Sequence, residues 1–381
     1  MTDAEMPTGA MLKAWRNDAG VSLAGMIKRE AFLTKGYMSQ IENGKKPVSP
    51  EIVAAYDRAL GGDEVKRRAL LSLATAGAIS PATMIEVIRH GLVTGHGNDW
   101  DAIVADYARR FLVDPSAVYG EGLVSELAVV RALINDGQQS SDLYRAAASL
   151  AHYYGLWLGN QADLGNAHRW YRSSISLADA SGDAEVRTYT RGRSLARGIY
   201  EGYSVRQTLD GAAEVLAMTR RPTVGKLEAH SARVHVYALT REAAKGREAV
   251  KGMADVASAL PADSGATERV AFVNAYAECR YGNLSEAEAA VSKALPMLRD
   301  RPMWLAETNV YRGRAMVAAG HIEDGLSHAL ATVTELRHDV RVIGVAVRDV
   351  VTAVPGDYRS DALETLRGYA DPNPGPWETL R

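Results

Sequence analysis

Polar and basic side chains gather in one short stretch, Thr34–Lys46, which reads TKGYMSQIENGKK. Lys, Gln, Ser, Thr and Asn are the side chains that hydrogen-bond to base edges and phosphate oxygens of duplex DNA. On a helix Met38 and Ile41 lie three apart, share one face and pack inward. Lys35, Tyr37, Ser39 and Gln40 then point outward or sideways, toward a groove. Thr34 at the helix start, and Asn43, Lys45 and Lys46 at its end, suit phosphate contacts that set the register. Within residues 10–46 seven basic residues (Lys13, Arg16, Lys28, Arg29, Lys35, Lys45, Lys46) stand against three acidic ones (Asp18, Glu30, Glu42). That local excess fits a salt-sensitive phosphate contact, although the whole chain carries a formal charge of -2.

Other chemistry has no comparable pattern. No GxxxxGK[ST] phosphate loop and no HExxH occurs. Cys279 stands alone, so it forms no internal disulfide, and it lacks a base partner that would make it a nucleophile. His230 and His235 are poorly spaced to share a helix face, and His321 and His328 lack acidic or cysteine company. The expectation is a protein that is not an enzyme and holds no metal or cofactor. No apolar run is long enough to span a bilayer, and the first residues, MTDAEMPTGA, lack the basic and apolar regions of a signal peptide. With its single cysteine, the chain is expected in the reducing cytoplasm.

The elements that position these residues are helices. Leu12–Arg16 reads as a first helix, and Ser22–Arg29 as a second with Ser22 as its cap. The stretch beginning at Thr34 makes the third. Ser49-Pro50-Glu51 opens a further helix to Leu60, ended by Gly61-Gly62. The 381 residues are too many for one small domain. We read residues 1–62 as a DNA-binding head, 63–98 as a connector, 99–370 as a helical-repeat domain and 371–381 as an extended tail. From Asp99 onward helices come in pairs at about 99–137, 142–182, 183–220, 223–260, 263–300 and 301–337, with a last helical segment over roughly 339–370. The repeat of roughly 38–40 residues exceeds the tetratricopeptide period of about 34. Gly155 and Ala167, Ala275 and Ala287, and Gly313 and Gly325 supply small residues where two helices of a pair approach closely. The pairs at 183–220 and 223–260 fit this pattern poorly.

The N-terminal segment resembles the helix-turn-helix of the phage-repressor-like (XRE) regulators. Arg16, Gly20, Ser22, Thr34, Gln40, Ile41, Glu42, Asn43, Gly44 and Lys45 carry the match, and Ser39–Gly44 holds the S-x-I-E-x-G core. The resemblance implies base reading by Lys35, Gly36 and Gln40, with Ser39 alongside. It also implies a structural ion pair between Arg16 and Glu42. Two departures stand out. Ser22 and Thr34 are one residue further apart than is usual in that family, and Leu23 occupies the place of a frequent Gln.

Leu156–Asp183 and Arg191–Gly202 resemble actinobacterial XRE regulators that carry tetratricopeptide-like C-terminal regions. The implied fold is all-α, a helix-turn-helix domain followed by an α-solenoid of tetratricopeptide-like pairs. The implied function is a transcriptional regulator that binds a double-stranded operator as a homodimer, with a peptide or small-molecule effector in the repeat domain. In such repeats the first helix of each pair faces inward. Counting from the small residues nominates His152, Leu156, Arg269, Tyr276, Glu307 and Arg314 as effector-facing. Asn274 and Asn309 suit extended peptide backbones. Arg187, Arg191, Arg193 and Arg197 crowd one helix and suit an acidic ligand. The rival readings are a protein-interaction adaptor and a repressor controlled by a partner protein.

Overall fold

A computed structural model describes residues 9–18, 21–29, 34–49, 52, 55–56, 100–113, 117–135, 137–336, 341–373 and 375–379. The expected connector 63–98, the turn 30–33 and the glycines Gly61 and Gly62 lie outside the described residues. All regular structure among the described residues is helical, so the fold is all-α. The chain divides into two compact units, Met1–Asp99 with Ala128–Gly137, and Trp100–Leu127 with Gln138–Arg381.

In the first unit three short helices form: α1 (Gly9–Asp18), α2 (Leu23–Arg29) and α3 (Lys35–Glu42). Side-chain oxygens start the second and third. Ser22 Oγ accepts from Gly25 N at 3.1 Å, and Thr34 Oγ1 accepts from Tyr37 N at 3.3 Å. Leu12, Met26, Met38 and Ile41 are fully buried together, with Ile52, Ala55 and Tyr56 closing the core. Burying a side chain such as Met38 or Ile41 contributes roughly 1.5–3 kcal/mol. Leu23 packs against this core, which gives the apolar residue at that position a structural use.

The second unit begins with α4 (Trp100–Val113); α5 (Ala117–Asn135) starts in it, and its residues from Ala128 on belong to the first unit. Six pairs follow: α6 (Ser141–Asn160) with α7 (Leu164–Ser181), α8 (Ala184–Gly198) with α9 (Val205–Ala217), and α10 (Val224–Leu239) with α11 (Ala243–Ser258). Next come α12 (Ala266–Tyr281) with α13 (Leu284–Ala294), α14 (Pro302–Ala318) with α15 (Ile322–Thr334), and α16 (Arg341–Ala353) with α17 (Asp361–Tyr369). A short α18 (Pro376–Thr379) ends the described chain. Ser140, Asp163, Asp183, Ser204, Thr223, Asn283 and Ser360 each cap the following helix through a side-chain oxygen. Each such cap contributes about 1 kcal/mol.

The first helices of successive pairs stack on one another from α6 through α16. The array also closes on itself, because α4 packs against α14 and α6 against α16. Small residues permit the closest crossings. A Cβ on Gly313 would stand 2.6 Å from the Gly325 carbonyl oxygen, and one on Gly325 2.5 Å from that of Gly313. In the region where the pattern fits poorly, the close crossing lies between neighbouring pairs instead. A Cβ on Gly192 of α8 would stand 2.2 Å from the carbonyl oxygen of Gly225 on α10. A search for small residues within one pair misses such a crossing.

The tail is not simply extended. Arg348 pairs with Glu378 on α18, with Nη2 3.0 Å from Oε2. Asp371 is buried beside Arg341 at 2.7 Å. These two ion pairs hold the tail against α16. Among the described residues no helix is long and apolar enough to cross a membrane.

Candidate functional site

The orientation of α3 is set by one buried polar knot. Arg16 Nε donates to Glu42 Oε1 at 2.7 Å, and Nη2 donates to Oε2 at 2.9 Å. Tyr56 OH adds a third donation to Glu42 Oε1 at 2.7 Å. Arg16 Nη1 also donates to the carbonyl of Val21 at 2.8 Å, which ties α1 to the entry of α2. Burial alone would raise the Glu42 pKa, but the hydrogen bonds from Arg16 and Tyr56 outweigh it and hold the carboxyl below its ordinary value. The same partnership raises Arg16, chiefly through its hydrogen bonds to Glu42. Glu42 therefore stays charged, buried and committed to structure.

The outer face of α3 is open. Lys35, Gly36 and Gln40 are exposed, and Tyr37 and Ser39 are half-buried at its margin. A Cβ added at Gly36 would meet nothing within 4 Å, so the bare backbone there is available to an approaching surface. Lys45 is exposed past the helix end, and Lys46 lies over the Tyr37 ring at 4.8 Å. Thr34 and Asn43 are drawn into local bonds as well. Thr34 caps α3, while Asn43 Nδ2 donates to the Ser39 carbonyl at 2.8 Å. The amide expected at phosphate thus closes its own helix.

In the repeat unit, a cleft partly open to solvent is lined by the first helix of every pair. Arg193 and Arg197 come from α8, Arg269 from α12 and Arg341 from α16. Phe272 and Trp304 form a stacked wall, ring centroids 5.4 Å apart, and Glu307 sits beyond them on α14. His235 and Tyr200 line it too, bonded to each other at 2.8 Å.

Of the residues expected to face an effector, Arg269 and Glu307 line this cleft, as do Arg193 and Arg197 from the arginine-rich helix. His152 instead is wholly buried among Tyr153, Tyr171 and Tyr189, with neither ring nitrogen hydrogen-bonded. Burial drives its pKa down to about 3, so it is neutral packing. Leu156 is core. Arg191 pairs with Asp179 at 2.7 Å, and Asn309 donates to the Leu305 carbonyl at 3.2 Å. Tyr276 is buried and bonded to Tyr200. Arg314 is buried with Asp349 at 3.2 Å, and Asn274 is half-buried outside the lining. The correction has a geometric cause. Each helix turns about 100° per residue, so an error of one or two positions in counting from a crossing point moves the chosen face from cleft to core. The spacing of Met303, Glu307 and Tyr311 on α14, and of Arg193 and Arg197 on α8, carries the signal that finds the lining.

Residues 9–70 match the family model of a helix-turn-helix domain. No curated protein matches the chain.

Proposed function

We propose that the chain is a DNA-binding transcriptional regulator whose repeat unit, tetratricopeptide-like in kind, dimerises and senses an effector. α3 enters the major groove with Lys35 and Gln40 toward base edges and Gly36 allowing close approach, while Ser39 lies alongside. Thr34, Tyr37, Lys45 and Lys46 contact the phosphate backbone, and Asn43 supports the end of the helix. Two heads carried by a homodimer read a two-fold operator. Residues 1–62 act as the head, 63–98 as connector and 99–370 as the sensing and dimerising part. No reaction is assigned, and the setting is the cytoplasm.

The observation that carries this reading is the pairing of an open, polar outer face on α3, with Lys35 at its start and Lys45 and Lys46 past its end, with a buried Arg16–Glu42–Tyr56 knot behind it. A helix held so firmly and left so bare is suited to rigid docking in a groove. The test is a selection from a random duplex library at low salt, followed by titration of the enriched site. Specific binding that weakens with salt is expected; indifference to every duplex would end the proposal. Sedimentation of the same protein, with and without the duplex, tests the dimer.

A further inference from the structure

We propose that the inner cleft of the repeat unit binds an organic acid: its carboxylate on Arg193 and Arg197, its flat apolar body against Trp304 and Phe272. This deepens the effector-sensing part of the reading above and rests on it.

The charge arrangement points to an anion. Four guanidinium groups line the cleft, on Arg193, Arg197, Arg269 and Arg341. Their carboxylate partners do not line it. Glu228, Glu201 and Asp371 are buried behind them. Arg269 is anchored by a two-toothed bond to Glu228 at 3.1 and 2.8 Å and another to Ser231 at 3.1 Å, and its guanidinium lies 5.5 Å from the ring centroids of both Phe272 and Trp304. Arg341 meets Asp371 and the Tyr200 carbonyl. Arg193 reaches Glu228 only through Nη1, at 3.3 and 3.4 Å, and so keeps donors for a ligand. Arg197 uses Nε on Glu201 and one Nη on Asn160, leaving Nη1. These neighbours on one face of α8 present the planar donor geometry that suits a carboxylate.

The wall fixes the rest of the ligand. Phe272 and Trp304 stack at an interplanar angle of 16°, with Met303 beside them and Val342 and Val345 from α16. A partly open cleft with apolar and aromatic walls and a few charged groups suits a small organic ligand or the end of a short peptide. Duplex nucleic acid is far too wide for it. The shared chemistry is a carboxylate beside a flat apolar group, and two sources provide it: a free aromatic acid, or the C-terminal residue of a short peptide ending in an aromatic side chain.

Glu307 is the single lining carboxyl, and it makes no hydrogen bond or ion pair among the described residues. Arg193, Arg197 and Arg269 lie close enough to act on its charge, and Tyr200, His235 on α10, Arg341 on α16 and Tyr311 on its own helix share the lining with it. Burial outweighs the nearby arginines and raises its pKa to about 7. His235 is held neutral across this range by burial. Protonated, Glu307 donates to an incoming carboxylate; ionised, it repels one.

The test is titration calorimetry on the full chain without DNA. The probes are 2-naphthoate and 2-naphthamide, and the tripeptide Gly-Gly-Phe with its C-terminal amide. At pH 6, 2-naphthoate should bind at least tenfold more tightly than its amide. Its affinity should fall about tenfold by pH 8, as Glu307 ionises. Glu307→Gln touches no ion pair and should remove that fall while keeping binding. Arg193→Gln should weaken the acid and leave the amide unchanged. Competition by Gly-Gly-Phe, and not by its amide, identifies a peptide terminus as the source; its absence identifies a free acid. Equal affinity for acid and amide, a retained pH dependence in Glu307→Gln, or no binding of either acid at millimolar concentration overturns the assignment. If the acid binds and no duplex does, the regulator reading fails while the cleft assignment stands.

Discussion

Arg16 and Glu42, 26 residues apart in sequence, meet through two parallel hydrogen bonds in the interior of the N-terminal unit. Removing one partner leaves the other buried and charged, which costs about 3–5 kcal/mol. Arg16→Ala is therefore expected to unfold or severely loosen the head. Tyr56→Phe deletes one bond to a charged group and should cost about 1.5–3 kcal/mol. Denaturant unfolding of the two variants checks the order.

The same knot makes the head acid-sensitive. The folded-state pKa of Glu42 lies below its ordinary value of 4.5, so its stabilising effect is complete above that value. It is lost as pH falls through the lowered folded pKa, because the proton then binds the unfolded chain more readily. Circular dichroism of an acid titration should show this loss in the native sequence. A Glu42→Gln variant should lack the corresponding slope.

On α3, Lys35→Ala and Gln40→Ala should each lower specific DNA affinity by about 1–3 kcal/mol and relax preference at one position. Lys45→Ala should weaken all duplexes alike and reduce the salt slope by about 1. Gly36→Leu separates folding from binding. Nothing lies within 4 Å of its Cβ, so unfolding should change only by helix propensity while the new side chain obstructs the groove. Anisotropy titrations at several salt concentrations measure each effect.

Glu307 works in the opposite sense to Glu42. Its folded pKa is raised to about 7 from 4.5, so the folded state holds the proton more tightly. Its contribution to stability falls as pH rises from about 4.5 through about 7. Glu307→Gln should flatten the melting temperature over that window. An unchanged profile would show that the carboxyl is not the titrating group.

At the turns within pairs the same backbone conformation recurs with different residues. Gly282 and Gly320 have φ of 92° and 93°, while Ala162 and Arg241 occupy the left-handed region at 62° and 58°. A side chain there costs about 1–2 kcal/mol, partly offset by the greater freedom glycine has when unfolded. Arg241→Gly should therefore stabilise the repeat unit by up to about 1 kcal/mol, and Gly282→Ala should destabilise it. Thermal unfolding of both variants gives the sign.

Much of this protein was written in local pattern. The caps Ser22 and Thr34, the inward pair Met38 and Ile41, and the helical period after Asp99 each depend on neighbours within a turn or two, so spacing alone reveals them. Tertiary packing decided what lies further apart. It brought Tyr56 onto Glu42, joined Gly192 to Gly225 across two pairs, and turned Arg193, Arg197 and Glu307 into one cleft while drawing His152 and Arg314 into the core. The physical reason is that a helix's own hydrogen bonds are local, whereas the face it shows to a cavity depends on how several helices rotate and close against each other. A rotation of one residue exchanges lining for core without changing the helix at all.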